Sequence, residues 1–218
     1  MKRTASESDA ARCFSIRATT AQRLPARPGT YAVVFRVLTE RSITVGRLGR
    51  LALRPGWYLY VGSAFGPGGL QARVSRHLRG DGRPRWHVDY LRAAAQPVEV
   101  WATSDPVPRE HDWAAILSGL PGCDIPLRGF GASDCRCPGH LFYFRDSPRF
   151  ERFAQSLRRT HPNHGTMCRE RLPRVWLMAD GSWRMQNRQP TTDKLKPTID
   201  ESQCKIENRQ FKTGQGLH

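Results

Sequence analysis

The chain has 218 residues, and its 35 Lys and Arg against 19 Asp and Glu give a formal net charge of +16. That length allows one domain of ordinary size and a substantial tail. A charge this basic favours a polyanionic partner such as DNA, because each neutralised phosphate releases condensed counterions. A merely soluble, self-repelling surface is the alternative. No stretch contains the roughly 18 to 20 apolar residues that cross a bilayer, so we expect no membrane-spanning segment.

The N-terminal residues 1–24 carry charges and no apolar core. They do not resemble a secretory signal, and we expect a flexible N-terminal arm. The six cysteines, without such a signal, favour reduced thiols rather than a disulfide framework. The expected compartment is therefore the cytoplasm. No obligate protein partner is evident.

Three strand-like runs open the main domain, which we place at residues 25–145. Valines and aromatics dominate Tyr31–Leu38, a short return strand follows at Ile43–Gly46, and Tyr58–Gly62 forms the third run. These runs predict a small antiparallel sheet of about three strands.

A helix follows the third strand, with Leu70, Val74 and Leu78 recurring every four residues as a buried stripe. Arg73 and His77 are also four residues apart and lie on an adjoining stripe. We expect the helix to pack with one edge while presenting these two polar side chains to the sheet.

The following elements are predicted as a helix at 86–91, a strand at 98–101, a helix at 108–120 and a strand at 141–144. In the second of these helices Glu110 shares the inward face with Trp113, whereas His111 points elsewhere. A carboxylate on an inward face is unusual unless it is paired or metal-bound. The predicted fold class is α/β, a central antiparallel sheet flanked by helices.

From residue 146 to residue 218 apolar residues become sparse. We expect a basic, largely disordered tail with one weak helix at Phe150–Arg159. A small subdomain around Trp176 and Trp183 is the alternative.

Two short motifs carry a family resemblance. Gly29-Thr30-Tyr31 and Tyr60-Val61-Gly62 resemble the two half-motifs of the GIY-YIG nuclease superfamily. The segments GSAFGPGGLQARVSRHLR, RWHVDYL and GFGASDCRCPGHLFYF resemble its small Uri-type subgroup. The chain has Thr30 where the family normally has a branched aliphatic residue. The two tyrosines are 29 residues apart, which implies an inserted hairpin.

The resemblance implies a metal-dependent DNA endonuclease that hydrolyses phosphodiester bonds. In that family the tyrosine matching Tyr31 takes a proton from water, Tyr60 positions water and phosphate, and His77 supports the tyrosine. Arg73 suits the stabilisation of phosphoryl charge, because its guanidinium is always charged and forked. Glu110 suits the anchoring of one Mg²⁺ or Mn²⁺.

Other residues near the motifs are candidate substrate contacts. Many family members carry an asparagine after the metal-binding glutamate, and none occurs between Glu110 and Phe144. Ser133 or Asp134 is the candidate replacement. The candidate contacts are Ser63, His87, Asp89, Ser133 and Asp134, although His87 and Asp89 fit a helix start equally well.

Two thiols and an imidazole fall within one short segment, at Cys135, Cys137 and His140, and Cys123 is a candidate fourth ligand for zinc. The spacing differs from the usual C-x-x-C knuckle, which favours the alternative that the cysteines fill the core or line the site. Two rivals to the nuclease therefore stay open. One is a catalytically silent nucleic-acid-binding module of the same fold, and the other is a zinc-stabilised interaction protein.

Overall fold

A computed structural model describes residues 23–79, 84–172, 175–177 and 183–185, the last two segments by their backbone. The described chain is α/β, and its four α-helices are α1 Gly69–Arg79, α2 His87–Ala94, α3 Glu110–Ser118 and α4 Phe150–Thr160. The strands are β1 Thr30–Val37, β2 Arg41–Val45, β3 Gly49–Leu53, β4 Gly56–Ser63, β5 Gln96–Thr103, β6 Cys123–Asp124, β7 Leu141–Phe144, β8 Met167–Arg171, β9 Val175–Leu177 and β10 Trp183–Met185.

The central sheet contains six antiparallel strands, in the order β6-β7-β4-β1-β5-β8. It is therefore twice as wide as the sheet of about three strands that the sequence predicted. The two strands β1 and β4 pair along their whole length, from Thr30 opposite Ser63 to Val37 opposite Gly56. On its other side β1 pairs with β5, so β1 lies in the interior of the sheet.

The predicted return strand does not join this sheet. The strands β2 and β3 instead pair with each other as a separate two-stranded hairpin, with Arg41 opposite Leu53 and Val45 opposite Gly49. Both hydrogen-bonding edges of β1 are already occupied by β4 and β5, so no edge remains for β2. This hairpin is the insertion that separates the two tyrosines.

The sheet buries both of its faces, as the alternation along β1 shows. On one face Tyr31, Val33 and Phe35 pack into a core that includes Leu70, Val74 and Leu78 of α1, which confirms the predicted buried stripe. On the other face the neighbouring residues of β1, Ala32 and Val34, pack with α3 and α4. Because successive side chains of a strand point to opposite faces, one strand contributes to both cores.

The domain extends beyond the predicted boundary at residue 145. Helix α4 buries Phe150 and Phe153 against Trp101, whose ring stacks on that of Phe153 at 5.3 Å between centroids. Strand β8 pairs with β5, and the Arg169 guanidinium lies 2.8 Å from the Glu99 carboxylate. The prediction that the tail starts at 146 is thus wrong for residues up to 172. Residues 1–22 and most of the chain after 172 lie outside the described residues.

The sequence allowed a small subdomain around Trp176 and Trp183 as an alternative to a disordered tail. In this region β9 pairs with β10 as a two-stranded ribbon, from Val175 opposite Met185 to Leu177 opposite Trp183. Among the residues that the structure describes, no helix has the length and apolar character needed to cross a membrane.

Candidate active site

The antiparallel pairing of β1 with β4 brings the two half-motifs to the same end of the sheet. Tyr31 lies opposite Gly62, and the ring centroids of Tyr31 and Tyr60 are 6.5 Å apart on one face. Steric contact explains the glycine at this position, because a Cβ at Gly62 would lie 2.6 Å from the Tyr31 hydroxyl. A Cβ at Gly29 would lie 2.1 Å from the carbonyl oxygen of Thr103. The motif glycines therefore make room for the tyrosine and for the neighbouring strand.

Tyr31 and His77 form a buried hydrogen bond of 2.8 Å between the hydroxyl and Nε2, at 1 % and 2 % exposure. Burial raises the pKa of Tyr31 well above its usual 10, with Tyr60 adding to the effect and Arg73 opposing it. Burial also lowers the pKa of His77 below its usual 6.5. The tyrosine is consequently protonated and the histidine neutral at neutral pH. The Asp89 carboxylate near Nδ1 favours the tautomer with its proton on Nδ1, and in that tautomer the Tyr31 hydroxyl donates to Nε2.

The other nitrogen of His77, Nδ1, faces Asp89 across 3.5 Å. This separation is an electrostatic contact rather than a hydrogen bond, and Nδ1 has no hydrogen-bond partner among the described residues. The second oxygen of Asp89 accepts the backbone N–H groups of Arg85 and Trp86 at 2.9 and 3.0 Å, which caps the start of α2. Burial would raise the pKa of Asp89, but these contacts, with that to His77 first, lower it to about 2. Asp89 thus serves the helix start and also faces His77.

Tyr60, Arg73 and Glu110 complete the group around Tyr31. Burial raises the pKa of Tyr60 and nearby Glu110 raises it further, whereas Arg73 opposes this shift. The Arg73 guanidinium lies 4.9 Å from the ring centroid of Trp86, a side chain that is 41 % exposed. The five residues singled out by the motifs are therefore brought to one place from β1, β4, α1 and the start of α3.

Glu110 is paired within the protein. Its Oε1 atom lies 2.7 Å from Nδ1 of His140, a residue that is 1 % exposed and directly precedes β7. The prediction that an inward-facing carboxylate needs a partner is confirmed, and that partner is a histidine. The Glu110 side chain remains 20 % exposed.

The remaining candidate contacts occupy different positions. His87 accepts the backbone N–H of Gly131 at 2.8 Å through Nδ1, so the fold itself uses this histidine. Asp134 is exposed and near enough to raise the pKa of Tyr60. Ser133 is also exposed, and Ser63 is half-buried at the end of β4.

Four side chains beside Glu110 form a possible metal-binding cluster. The potential ligand atoms of His111, Cys135, Cys137 and His140 all lie within 4.8 Å of one another. The sequence identified three of them, whereas the expected fourth ligand, Cys123, is outside the cluster on β6. His111 takes that place. The signal that could have found it is its position next to Glu110, at the helix end that faces the cysteine segment.

The family model for the domain of unknown function DUF123 matches residues 30–161. This chain belongs to the DUF123 family. No curated protein and no solved structure matches it. The DUF123 match begins at β1 and includes α4, so it covers the six-stranded sheet apart from β8. It also contains all the candidate active-site residues except Gly29.

Within the DUF123 domain the loop at 125–140 contains the cysteine segment and also contacts Tyr60. Phe130 contacts the Tyr60 ring at 6.0 Å between centroids, and its carbonyl accepts the His140 N–H at 2.7 Å. The N–H of Gly129 donates to the carbonyl of Pro138 at 2.8 Å. Displacement of this loop would therefore disturb both the Tyr60 ring and His140, the partner of Glu110.

Proposed function

We propose that this DUF123 protein is a metal-dependent DNA endonuclease of the GIY-YIG type, which hydrolyses a phosphodiester bond. The observation that supports this most strongly is the line of hydrogen-bonded and charged groups Tyr31–His77–Asp89, buried beside Arg73, Tyr60 and Glu110. A phenol in a strand is most often packing. A phenol whose hydroxyl meets a neutral histidine that in turn faces a carboxylate has a path for its proton.

The main difficulty with tyrosine as a general base is its high pKa, and the groups Tyr31, His77 and Asp89 together offer a solution. A phenolate is unfavourable here, because burial raises the pKa of Tyr31. No free phenolate is needed if the Tyr31 proton moves to Nε2 of His77 as the attacking water gives its proton to the phenol oxygen. The water oxygen bonds to phosphorus as the bond to the 3′ oxygen breaks. Asp89 stabilises the resulting imidazolium from the far side.

Arg73 and Glu110 serve the phosphate. A guanidinium matches the phosphoryl oxygens through two parallel N–H donors, and it favours the charge that develops in the transition state. Glu110 offers a partly exposed oxygen ligand of the kind that Mg²⁺ and Mn²⁺ prefer. Such a cation would polarise the phosphate and assist the leaving oxygen.

The DNA partner is supported by charge and by one exposed ring. The net charge of +16 favours phosphate binding. Trp86 lies beneath the guanidinium groups of Arg73 and Arg76, at 4.9 and 5.7 Å. An exposed aromatic ring flanked by two arginines suits a nucleotide, since the ring contacts bases while the cations contact phosphates.

A catalytically silent nucleic-acid-binding module is the alternative, and one observation favours it. Tyr31 is 1 % exposed, so its hydroxyl must become accessible to water when substrate binds. A module that only binds would have no need for that rearrangement.

The test uses the full chain and a panel of labelled DNAs: single strand, duplex, nick and branch. We expect cleavage of at least one of them in Mg²⁺ and none in EDTA. Glu110→Ala should abolish cleavage while leaving DNA affinity unchanged or slightly higher, because a negative charge has been removed near phosphate. The matched control is Glu151→Ala, since Glu151 is an exposed carboxylate on α4, on the other face of the sheet.

Two results would contradict the proposal. Binding of the whole panel without Mg²⁺-dependent cleavage would favour the silent module. Cleavage by Glu110→Ala at the rate of Glu151→Ala would remove Glu110 from the mechanism.

A further inference from the structure

The cluster beside Glu110 has the donors and the spacing of a zinc site. Zinc prefers thiolate and imidazole ligands in a tetrahedron, with Zn–S near 2.3 Å and Zn–N near about 2.0 to 2.1 Å. Those bond lengths separate a nitrogen from a sulfur by about 3.5 Å at neighbouring corners of a tetrahedron. In the structure Cys135 Sγ lies 3.5 Å from His140 Nε2, and Cys137 Sγ lies 3.2 Å from His111 Nδ1.

The remaining ligand pairs also fit. All four ligand atoms lie within 4.8 Å of one another. On one tetrahedral zinc ion two thiolates are about 3.8 Å apart and two imidazole nitrogens about 3.3 Å apart, so no pair has to close by more than about 1.5 Å. The set contains two soft thiols and no carboxylate, which selects zinc over the hard cations Mg²⁺ and Ca²⁺.

The outer contact of His140 supports the assignment independently. A zinc-bound histidine usually directs its second ring nitrogen at a carboxylate or carbonyl. The structure has a carboxylate in the corresponding place, because Nε2 of His140 faces Cys135 while Nδ1, which is buried and makes no aligned hydrogen bond within the described part of the chain, lies 2.7 Å from Glu110 Oε1. Zinc on Nε2 would place the ring proton on Nδ1, next to the carboxylate.

The cluster also lies where the fold needs a cross-link. His111 belongs to α3, and the other three residues belong to the segment before β7. These three residues lie in the loop 125–140, which contains no helix or strand. A metal bound at both places stabilises such a loop, because ligands far apart in sequence meet only in the folded chain.

We infer that His111, Cys135, Cys137 and His140 bind one structural Zn²⁺ that fastens the loop 125–140 to α3 and, through His140, orients Glu110. Binding displaces water from the ion and releases one proton from each thiol. The zinc site itself does not depend on the proposed nuclease function. Only the purpose of orienting Glu110, which is to hold a second cation, rests on that function.

The first experiment measures zinc in the full chain, purified under reducing conditions without chelator and reconstituted with zinc salt. We expect about one zinc per chain in the unaltered protein. In Cys135→Ser and in Cys137→Ser the bound zinc should fall by about tenfold or more. The control is Cys123→Ser, a thiol outside the cluster, which should keep its zinc. Retention of zinc by the double serine variant would overturn the inference.

A second measurement does not depend on how the variants fold. A mercurial reagent added to the unaltered protein should release zinc to a metallochromic dye in step with the modification of two thiols. Cobalt in place of zinc should give the intense visible bands of a tetrahedral site with thiolate ligands. A wild-type chain that takes up no zinc, or that carries a Cys135–Cys137 disulfide after reduction and reconstitution, would refute the site.

Glu110→Gln separates this inference from the nuclease proposal. The variant should retain zinc in the purified protein, because Glu110 is an outer contact and not a ligand, although its zinc affinity should fall about 10- to 100-fold. If the unaltered protein binds zinc as expected and cuts no DNA, the nuclease proposal fails while the zinc site stands. If DNA is cut by a protein without zinc, the zinc inference fails alone.

Discussion

Replacing Tyr31 by phenylalanine removes one oxygen atom and keeps the ring. The ring packs in the core that also holds Tyr60, so a phenylalanine retains this packing. What disappears is the 2.8 Å hydrogen bond to His77 Nε2, inside a region where both side chains are at most 2 % exposed. The substitution therefore tests the hydroxyl alone.

The expected loss of stability follows from that bond. A buried hydrogen bond contributes about 0.5 to 1.5 kcal/mol net, and an orphaned buried acceptor costs about 1 to 3 kcal/mol. The removed hydroxyl no longer has to be desolvated, so we expect the free energy of unfolding to fall by about 1 to 2 kcal/mol. A domain with about 5 to 15 kcal/mol of stability remains folded.

The expected effect on catalysis is larger. General acid–base catalysis contributes about 10² to 10⁴ in rate, and Tyr31→Phe should lose turnover within that range. DNA affinity should change little, because the hydroxyl is buried and carries no charge at neutral pH. The assays are urea unfolding followed by tryptophan fluorescence, single-turnover cleavage in Mg²⁺, and DNA binding in Ca²⁺ or EDTA.

Tyr58→Phe is the matched control. Tyr58 lies in β4 and in the same core, and its hydroxyl accepts the Arg54 N–H at 2.8 Å and donates to the Arg54 carbonyl at 3.2 Å. The Tyr58→Phe variant should lose a comparable free energy of unfolding and keep the cleavage rate of the unaltered protein. If Tyr31→Phe cleaves DNA as fast as Tyr58→Phe, then Tyr31 is packing and the proton route through His77 is refuted.

The other predictions concern the guanidinium, the second core and pH. Arg73→Lys should retain most DNA binding but lose about 10² to 10³ in single-turnover rate, since an ammonium lacks the planar fork. A variant that cleaves as fast as the unaltered protein would show that Arg73 does not hold the phosphate through two parallel donors. Phe153→Ala should cost about 3 to 5 kcal/mol in urea unfolding, because the ring is fully buried against Trp101 and Trp113. The exposed neighbour Gln155→Ala should stay within about 0.5 kcal/mol, and a similar value for Phe153→Ala would mean that α4 does not belong to the core. Acidification below pH 6.5 should lower the free energy of unfolding, because burial depresses the pKa of three histidines and the unfolded chain then binds more protons. The slope is at most about 1.4 kcal/mol per pH unit for the deeply buried His77 and smaller for the partly exposed His87 and His164. Urea midpoints at pH 7 and 5 test this.

The features that the sequence determined by itself are local. The valine-rich and aromatic run at β1 and the four-residue spacing of Leu70, Val74 and Leu78 have the periods of a strand and a helix, and each element forms where its period indicates. His77 reaches Tyr31 of the sheet for the same reason, and Arg73, one turn earlier on that helix, lies close enough to oppose the rise in the pKa of both tyrosines.

The pairing of distant strands was decided by the tertiary structure. Strand β8 reads MCRER, without a hydrophobic alternation, yet it pairs with β5 because its backbone completes that strand's free edge and Arg169 meets Glu99. Helix α4 has an apolar stripe in its sequence. What the sequence does not show is that Trp101 and Trp113 provide a surface for that stripe.

The partners of the site residues were likewise decided in three dimensions. Asp89 is near His77 because α2 packs beside α1, and His111 meets the two cysteines because the start of α3 faces the end of a long loop. Spacing along the chain encodes which residues share a face, but not which faces meet. Those contacts depend on burying both sides of one sheet at once, and the free energy of that burial belongs to the whole domain rather than to any single segment.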